Sequence, residues 1–364
     1  MSTLKVFEAF SGIGAQRMAL RNLGIDFEVV GISEIDKYAL KSYEAIHGDC
    51  PNYGDISDIN PKDLPKIDLF TYSFPCQDIS IAGKQEGIVK GKTRSGLLYE
   101  CEKIIEYCKP KYLLMENVKN LVGKKNKPNF EKWLKYLEGL GYTNYWKVLN
   151  ARDYGVPQNR ERVFCISILG EHTPYNFPNP IKLDKKIKDV LENNVDEKYY
   201  MDKPFKFVDK GHQAELEMKG MDCIRRVYSV DNICPTLTTM AGGNTQPKVL
   251  IPQATKKGYI DMEVPGVCDL SFPNSKTRRG RVQDGGKICP TLTTSSQDIV
   301  YINEKYRVRK LTPKECFRLM GLSEEDIEKI QFSGISNAQQ YKQAGNSIVV
   351  PVLEGIFREL FCNE

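Results

Sequence analysis

The first thirty residues constrain the fold more than any other stretch, because they combine a strand, a glycine turn and a helix. Leu4–Phe10 predicts a strand, Ser11-Gly-Ile-Gly14 a glycine turn, and a helix is expected from Ala15 to about Leu23. A second strand, Phe27–Ser33, follows. In nucleotide-binding α/β sheets, glycines in such a turn let the backbone approach a ligand at the helix N-terminus. We therefore predict a Rossmann-like α/β sheet with helices on both faces.

Two acidic residues, Glu34 and Asp55, lie at later turns of this predicted sheet. Glu34 comes twenty residues after Gly14, where such folds bind ribose hydroxyls. The alternative is an acid that faces a helix dipole. Asp55 is placed to accept a hydrogen bond from an adenine amino group. No P-loop lysine follows the glycines, so a sulfonium nucleoside fits this unit as well as a dinucleotide.

A cysteine follows a further predicted strand. The run Ile67–Phe70 predicts a buried strand ending at Ser73-Phe74, and Pro75 stops its ladder. Cys76 is therefore expected at the carboxyl end of a strand, where open α/β sheets bind their ligands. There it is either a thiolate nucleophile or one more buried small apolar residue.

A carboxylate and two arginines are expected at the same edge. Tyr112–Met115 predicts a buried strand that delivers Glu116, and a carboxylate in that position is costly unless it is paired or used. Arg160 and Arg162 alternate with Glu161 at the start of the strand Val163–Leu169, so both arginines are predicted to share one face. The alternative is a surface ladder of ion pairs.

Cysteine and histidine counts exclude several classes of site. The eleven cysteines include no Cys-x-x-Cys pair, which argues against a disulfide framework or a zinc ribbon. The three histidines are widely spread, so we expect no metal site. No apolar run approaches the roughly 20 residues of a membrane helix, and we expect a cytosolic protein with no membrane partner.

The character of the chain changes near residue 171, where prolines, asparagines and glycines increase. We predict three segments: a catalytic and cofactor-binding domain over 1–170, a smaller irregular β-rich domain over 171–305, and a return to the first domain over 306–364. The second segment contains a repeat, because Arg226-Val-x5-Ile-Cys-Pro-Thr-Leu-Thr-Thr239 recurs as Arg281-Val-x5-Ile-Cys-Pro-Thr-Leu-Thr-Thr294. Two copies predict two similar hairpins. Their threonines and arginines either read a groove or are plain strand residues.

Net charge is +5, and basic residues concentrate in segments 84–94, 119–127 and 276–281. Glycine, asparagine, serine and threonine accompany them, as in loops that contact phosphates, although solvated loops would look alike. Residues 83–96 are too polar for a core and too long for a tight turn, so we predict a mobile active-site loop.

Regular structure is expected again after residue 308. Thr312 and Pro313 predict a helix start. The last helix carries one apolar stripe from Ile348 to Phe361, and packing that stripe on the first domain would return Asn346 to the glycine turn.

Together these stretches resemble the DNA (cytosine-5) methyltransferases of bacterial and phage restriction–modification type. Six motifs in family order carry the resemblance: Phe10-Ser-Gly-Ile-Gly14, Ser73-Phe-Pro-Cys-Gln77, Glu116-Asn-Val118, Gln158-Asn-Arg-Glu-Arg162, Arg309-x-Leu-Thr-Pro-x-Glu315 and Gln343-Ala-Gly-Asn-Ser347. Ala15 departs from a glycine common in the family, and residues 171–305 match its variable target-recognition region. The resemblance implies an S-adenosylmethionine-dependent methyltransferase sheet with a target-recognition domain.

The resemblance also implies roles for individual residues. Cys76 would attack carbon 6 of a cytosine flipped out of duplex DNA, and Glu116 would donate a hydrogen bond to ring nitrogen 3. Arg162, with Arg160, would hold the carbonyl oxygen of the base. S-adenosylmethionine would be held by Phe10, Gly12, Gly14, Glu34, Ile35, Asp55, Ile56, Pro75, Leu97 and Asn346.

DNA contacts are expected from the basic segments and the repeat. The candidates are Lys84, Gln85, Arg94, Arg226, Arg278, Arg279 and Arg281. The expected partner is double-stranded DNA, the enzyme is expected to be a monomer, and a cognate restriction endonuclease would act separately. Two other functions stay open at this point: a tRNA cytosine-5 methyltransferase on the same scaffold, and a catalytically silent DNA-binding protein.

Overall fold

The computed structural model describes residues 3–75, 94–201, 203–208, 212–240, 244–253, 266–269, 299–302 and 305–362. Several predicted site residues therefore lie outside the described residues, namely Cys76, Lys84, Gln85, Arg278, Arg279 and Arg281. So do most of the predicted loop 83–96 and the second copy of the repeat.

The chain divides into two compact units. Unit 1 comprises Met1–Val190, Ile233–Gly242 and Pro313–Glu364, and unit 2 comprises Leu191–Asn232 and Gly243–Thr312. The boundaries between the units fall after residues 190 and 312, whereas 170 and 305 were predicted, and a short internal segment, 233–242, belongs to the first unit. Within the described residues, none of the helices has the length and apolar character needed to cross a membrane.

Unit 1 is built on one six-stranded sheet. Its strands are β1 (Leu4–Ala9), β2 (Phe27–Ser33), β3 (Leu69–Tyr72), β4 (Tyr112–Val118), β5 (Tyr142–Asn150) and β7 (Glu161–Leu169), in the order β2-β1-β3-β4-β7-β5. The first four run parallel, and β7 is antiparallel to both β4 and β5. A short strand, β6 (Gln158–Asn159), precedes β7. The parallel strands β1, β3 and β4 are buried, as their apolar sequences predict.

Helices connect and flank these strands. They are α1 (Ala15–Asn22), α2 (Lys37–His47), α3 (Leu98–Cys108), α4 (Lys127–Gly139), α6 (Pro313–Arg318), α7 (Glu324–Phe332), α8 (Asn337–Asn346) and α9 (Val350–Phe361). Helix α9 returns to the first unit as predicted and packs against α1, and its Phe361 ring meets that of Tyr112. Cys101 on α3 lies in the core, and Cys108 at the end of α3 is half-buried and packs against the core.

Unit 2 contains a second six-stranded sheet. Its strands are β8 (Tyr200–Met201), β9 (Phe205–Phe207), β10 (Ala214–Leu216), β11 (Arg226–Ser229), β13 (Lys248–Gln253) and β16 (Lys305–Lys310), in the order β8-β16-β13-β11-β10-β9. A separate pair joins β14 (Gly266–Asp269) and β15 (Ile299–Ile302), and one helical turn, α5 (Asp222–Arg225), precedes β11. In the described part of unit 2, short strands and loops predominate, as predicted.

The first copy of the repeat is not a hairpin. Its Arg226–Ser229 part forms β11 and pairs with β10 and β13 in unit 2. Its Cys234–Pro235 part forms β12, which pairs in parallel with β6 of unit 1. The hairpin prediction was wrong for this copy, because its two halves pair with strands of two different sheets.

Candidate active site

One cavity of about 360 Å³ opens at the carboxyl edge of the parallel strands in unit 1. The chain passes from β1 to β2 on one side and later to β3 on the other, so β1 and β3 border a topological switch point. Open α/β sheets bind their ligands at such a point. The residues that follow β1, β2 and β3, and the end of β4, all contribute to the cavity wall.

The turn after β1 has an unusual backbone. Phe10, Gly12 and Gly14 all have positive φ, at 56°, 57° and 75°. For the non-glycine residue Phe10 this conformation is strained, and such strain concentrates at functional sites. A hydrogen bond from the Phe10 N–H to the Ser33 carbonyl, 2.8 Å, ties the turn to the end of β2.

The Glu34 carboxylate holds the same turn from its other side. It accepts hydrogen bonds from the backbone N–H groups of Gly12, Ile35 and Asp36, at 2.9, 2.9 and 2.8 Å. Asp55 in turn accepts from the Ser57 N–H and caps a short 3-10 helix. Both acids therefore shape the loops that line the cavity.

Nine of the ten predicted cofactor residues line this cavity: Phe10, Gly12, Glu34, Ile35, Asp55, Ile56, Pro75, Leu97 and Asn346. Gly14, itself a described residue, does not line it. Gly14 starts α1 in the left-handed conformation, and a Cβ there would lie 2.5 Å from Nε2 of His47. Its glycine is required by the turn and by the helix packed behind it.

Two features of the cavity wall fit a nucleoside that carries an amino acid. The Ser11 hydroxyl is buried at the wall with no hydrogen-bond partner among the described residues, so it is open to a polar ligand group. Ile35, next to Glu34 in the cavity wall, is 70% exposed. An exposed apolar side chain in this position could pack against the face of a flat base. The residues present therefore fit S-adenosylmethionine.

A buried polar cluster supports the glycine turn from behind. Glu8 on β1 is fully buried and accepts hydrogen bonds from the Tyr43 hydroxyl, 2.6 Å, and the Arg17 N–H, 3.1 Å. Arg17 also donates to the His47 carbonyl, and Nε2 of His47 lies 3.2 Å from the Ile13 carbonyl. The cluster thus links β1, α1 and α2 to the turn.

This cluster predicts a pH dependence of stability. Burial raises the pKa of Glu8 from 4.5 to about 7, so its contribution to stability is present below pH 4.5 and is lost as pH rises through 7. Replacing Glu8 by glutamine removes this titration. We expect the variant to gain about 3 kcal/mol relative to the wild type between pH 4 and pH 8, measured by urea unfolding.

A control variant and the opposite titration of His47 check the assignment of this pH dependence to Glu8. Glu44→Gln, an exposed acid on α2, should leave the pH dependence unchanged. His47 acts in the opposite sense, because burial lowers its pKa from 6.5 to about 3, and stability falls as pH drops below 6.5. An alkaline decline that persists in Glu8→Gln would contradict the prediction.

The two residues before Cys76 are held by side chains from neighbouring elements. The Asn117 amide on β4 donates to the Phe74 carbonyl, 2.9 Å, and the Ser95 hydroxyl donates to the Pro75 carbonyl, 2.7 Å. Pro75 lines the cavity. The chain therefore enters position 76 from a fixed point at the cavity wall.

Glu116 and Arg162 face each other in this cavity. Glu116 lies inside β4, not after it as predicted, and it sits diagonally across the antiparallel β4–β7 pair from Arg162. Nε of Arg162 is 3.2 Å from Oε1 of Glu116. Burial raises the pKa of the Glu116 carboxyl, while the nearby Arg162 and Arg160 and a hydrogen bond from Ser73 oppose that rise.

Arg160 also lines the cavity but has different partners. It is 3% exposed, and its guanidinium donates to three backbone carbonyls: Leu237 at 2.9 Å, Gly345 at 2.9 Å and Ser347 at 2.8 Å. The two arginines of the motif therefore contact different elements.

Comparison with known proteins identifies the family. The family model of C-5 cytosine-specific DNA methylases matches residues 4–362. The chain belongs to this family. It is a DNA cytosine-5 methyltransferase. The type II methyltransferase M2.ScrFI of Lactococcus lactis subsp. cremoris is 41% identical over 98% of this chain and 99% of its own length. The orphan methyltransferase M.SPBetaI of Bacillus phage SPbeta is 36% identical over 99% and 98%.

Solved structures agree on the fold of this methyltransferase. The crystal structure of S. pombe Dnmt2 methyltransferase superimposes with a TM-score of 0.67 at 20% identity, covering 98% of both chains. The Entamoeba histolytica methyltransferase EhMeth gives a TM-score of 0.68 at 20% identity and covers 100% of this chain and 99% of its own. The predicted family, fold class and activity are confirmed.

Among the predicted DNA contacts of the methyltransferase, Arg226 is described in full. Its guanidinium is half-exposed and pairs with the Asp222 carboxylate four residues earlier, which raises the pKa of Arg226. Only the backbone of Arg94 is described, at the start of a 3-10 turn.

Sequence reasoning missed several residues that build the methyltransferase site. Ser95 holds the Pro75 carbonyl, Glu8 holds the Arg17 N–H at the start of α1, and Lys342 pairs with Asp36 at 2.6 Å. Asn117 belongs to the Glu116-Asn-Val118 motif, but nothing in the sequence showed that its amide contacts the Phe74 carbonyl.

Proposed function

We propose that this methyltransferase uses Cys76 as its nucleophile and Glu116 and Arg162 to prepare the target cytosine, while Arg160, the fourth predicted catalytic residue, binds backbone carbonyls at the cavity wall. The Glu116–Arg162 pair at 3.2 Å, in a cavity that Pro75 also lines, carries this proposal. It puts a buried carboxyl with a raised pKa beside a cation, in a cavity that is also lined by Pro75, the residue before Cys76. These are the groups needed to hold and polarise a pyrimidine.

In the proposed reaction the Cys76 thiolate forms a bond to carbon 6 of cytosine. The electrons of the 5,6 double bond then become available at carbon 5, which takes the methyl group. Glu116 stabilises the charge by hydrogen bonding to ring nitrogen 3, and Arg162 holds the carbonyl oxygen. Loss of the carbon 5 proton, with water as the expected acceptor, breaks the carbon–sulfur bond and frees Cys76.

The proposed cofactor is S-adenosylmethionine, and S-adenosylhomocysteine is its product. When bound, it supplies an electrophilic methyl group. Glu34 would bind the ribose hydroxyls, Asp55 the adenine amino group and Ile35 the face of the base, while Phe10, Gly12 and Asn346 would contact the amino-acid end. The buried Ser11 hydroxyl, which has no hydrogen-bond partner among the described residues, and the exposed Ile35 support this assignment.

The proposed substrate is a specific site in double-stranded DNA, from which the target base is flipped out. Residues of unit 2 would read the site, and Arg226, Arg278, Arg279 and Arg281 would contact phosphates. The similarity to M2.ScrFI, a type II methyltransferase, supports a role in restriction–modification, whereas M.SPBetaI is named an orphan methyltransferase. The proposed enzyme acts as a monomer in the cytoplasm, with any cognate endonuclease separate.

Bisulfite sequencing of a defined plasmid tests this function. After incubation with the protein and S-adenosylmethionine, cytosines in one short recurring context should be protected. Absence of protected cytosines anywhere would contradict a DNA substrate. Transfer to tRNA in a parallel reaction would then identify an RNA enzyme, and no transfer to either would identify a silent binding protein.

A further inference from the structure

Arg160 donates hydrogen bonds to the C-terminal end of helix α8. The last carbonyls of a helix have no partner within the helix and carry the negative end of its dipole. Two carbonyls at this end, Gly345 and Ser347, both accept from the same terminal nitrogen of Arg160, at 2.9 and 2.8 Å. They flank Asn346, the residue that lines the cofactor cavity. The buried guanidinium therefore fixes the backbone on both sides of Asn346.

The same guanidinium reaches the first copy of the repeat. Its other terminal nitrogen donates to the Leu237 carbonyl, 2.9 Å. Gln158, fully buried, accepts from the Leu237 N–H at 3.2 Å and donates to the Leu319 carbonyl at 2.7 Å. A Cβ at Gly345 would lie 1.9 Å from the Thr238 carbonyl, so only glycine allows this approach. Arg160 stands where the two segments meet.

We infer that Arg160 is a positioning residue, which holds Asn346 at the cofactor cavity by joining the end of α8 to residues 233–239. It acts on S-adenosylmethionine through Asn346, whereas Arg162 acts on the base beside Glu116. This inference rests on the proposed cofactor role of Asn346. It also gives the first copy of the repeat a function inside unit 1, as the second anchor of that guanidinium.

Binding of S-adenosylmethionine without DNA distinguishes a residue that positions Asn346 for the cofactor from a residue that contacts the target base. A residue that contacts only the target base cannot affect this equilibrium, because no base is present. We expect Arg160→Lys to raise the dissociation constant about tenfold, since one ammonium cannot replace the charged hydrogen bonds to three carbonyls. Arg162→Lys should bind the cofactor like the wild type while losing turnover. Arg152→Lys, at an exposed arginine paired with Asp153, is the matched control for both.

A double-variant cycle tests the route through Asn346. If Arg160 acts through that residue, Arg160→Lys should cost no further affinity in an Asn346→Ala background. Full additivity of the two losses would overturn the inference. So would wild-type cofactor binding by Arg160→Lys together with a loss of turnover, which is the behaviour of a base contact.

Hydrogen exchange on the wild-type protein gives an answer even if Arg160→Lys does not fold. Adding S-adenosylmethionine without DNA should slow exchange in residues 343–347 and also in 234–239, whose amides bond to Pro157 and Gln158. Slowing in 343–347 alone would contradict the junction. Failure of the proposed function would be seen separately, as absent methylation in the bisulfite experiment.

Discussion

Replacing Cys76 by alanine or serine is expected to abolish methyl transfer while DNA binding survives. Carbon 5 of cytosine is too weak a nucleophile to take a methyl group unless a thiolate first adds at carbon 6, and neither substitute supplies a thiolate. The carbonyls of Phe74 and Pro75 stay bonded to Asn117 and Ser95, so the loop entering position 76 should keep its place. Transfer of a labelled methyl group and a gel-shift assay measure the two properties.

A duplex containing 5-fluorocytosine makes this prediction sharper. Fluorine at carbon 5 cannot leave as a proton does, so the wild-type enzyme should remain covalently attached to the DNA after transfer. The Cys76 variants should form no adduct. Cys362→Ser, at an exposed cysteine after α9, should react like the wild type. Methyl transfer near the wild-type rate by Cys76→Ala would refute the nucleophile assignment.

The sequence predicted the parts of the site that depend on local order. A glycine turn after a strand, Glu34 after the next strand and Glu116 in a buried apolar run each follow from a few adjacent residues. Parallel strands then bring their carboxyl ends to one edge, so these residues were expected to meet. Phe10, Gly12, Glu34, Ile35 and Pro75 line the cavity as that rule predicts, because they follow β1, β2 and β3.

Contacts between distant segments were not predictable in this way. Arg160 and Arg162 share a motif, and alternation along a strand predicts one face for both. Arg160 donates to carbonyls 77 and 185 residues away in the chain, whereas Arg162 faces Glu116 on the adjacent strand. Strand alternation carries no information about which carbonyls fold back to a guanidinium. For the same reason, the repeat suggested two hairpins, whereas its first copy is divided between two sheets.

Replacing Glu116 by glutamine is expected to lower the turnover number by about 10²- to 10⁴-fold, the range typical of a lost general acid. The amide can still donate a hydrogen bond to ring nitrogen 3, but it cannot give up a proton as negative charge grows on the ring. Its size matches the carboxyl that faces Arg162 at 3.2 Å, so packing in β4 should be preserved. Single-turnover methyl transfer with saturating DNA and cofactor measures the effect.

The pH profile separates this role from simple loss of the ion pair with Arg162. Burial raises the pKa of Glu116, so its protonated form is present at low pH and is lost as pH rises through that pKa. The wild-type single-turnover rate should therefore carry a falling limb that Glu116→Gln lacks. Glu161→Gln, at the half-exposed partner of Lys119 next to Arg162, should keep both the rate and the limb. If Glu116→Gln retained the limb, another group would have to be the acid, and Glu116 would be left with orienting Arg162 alone.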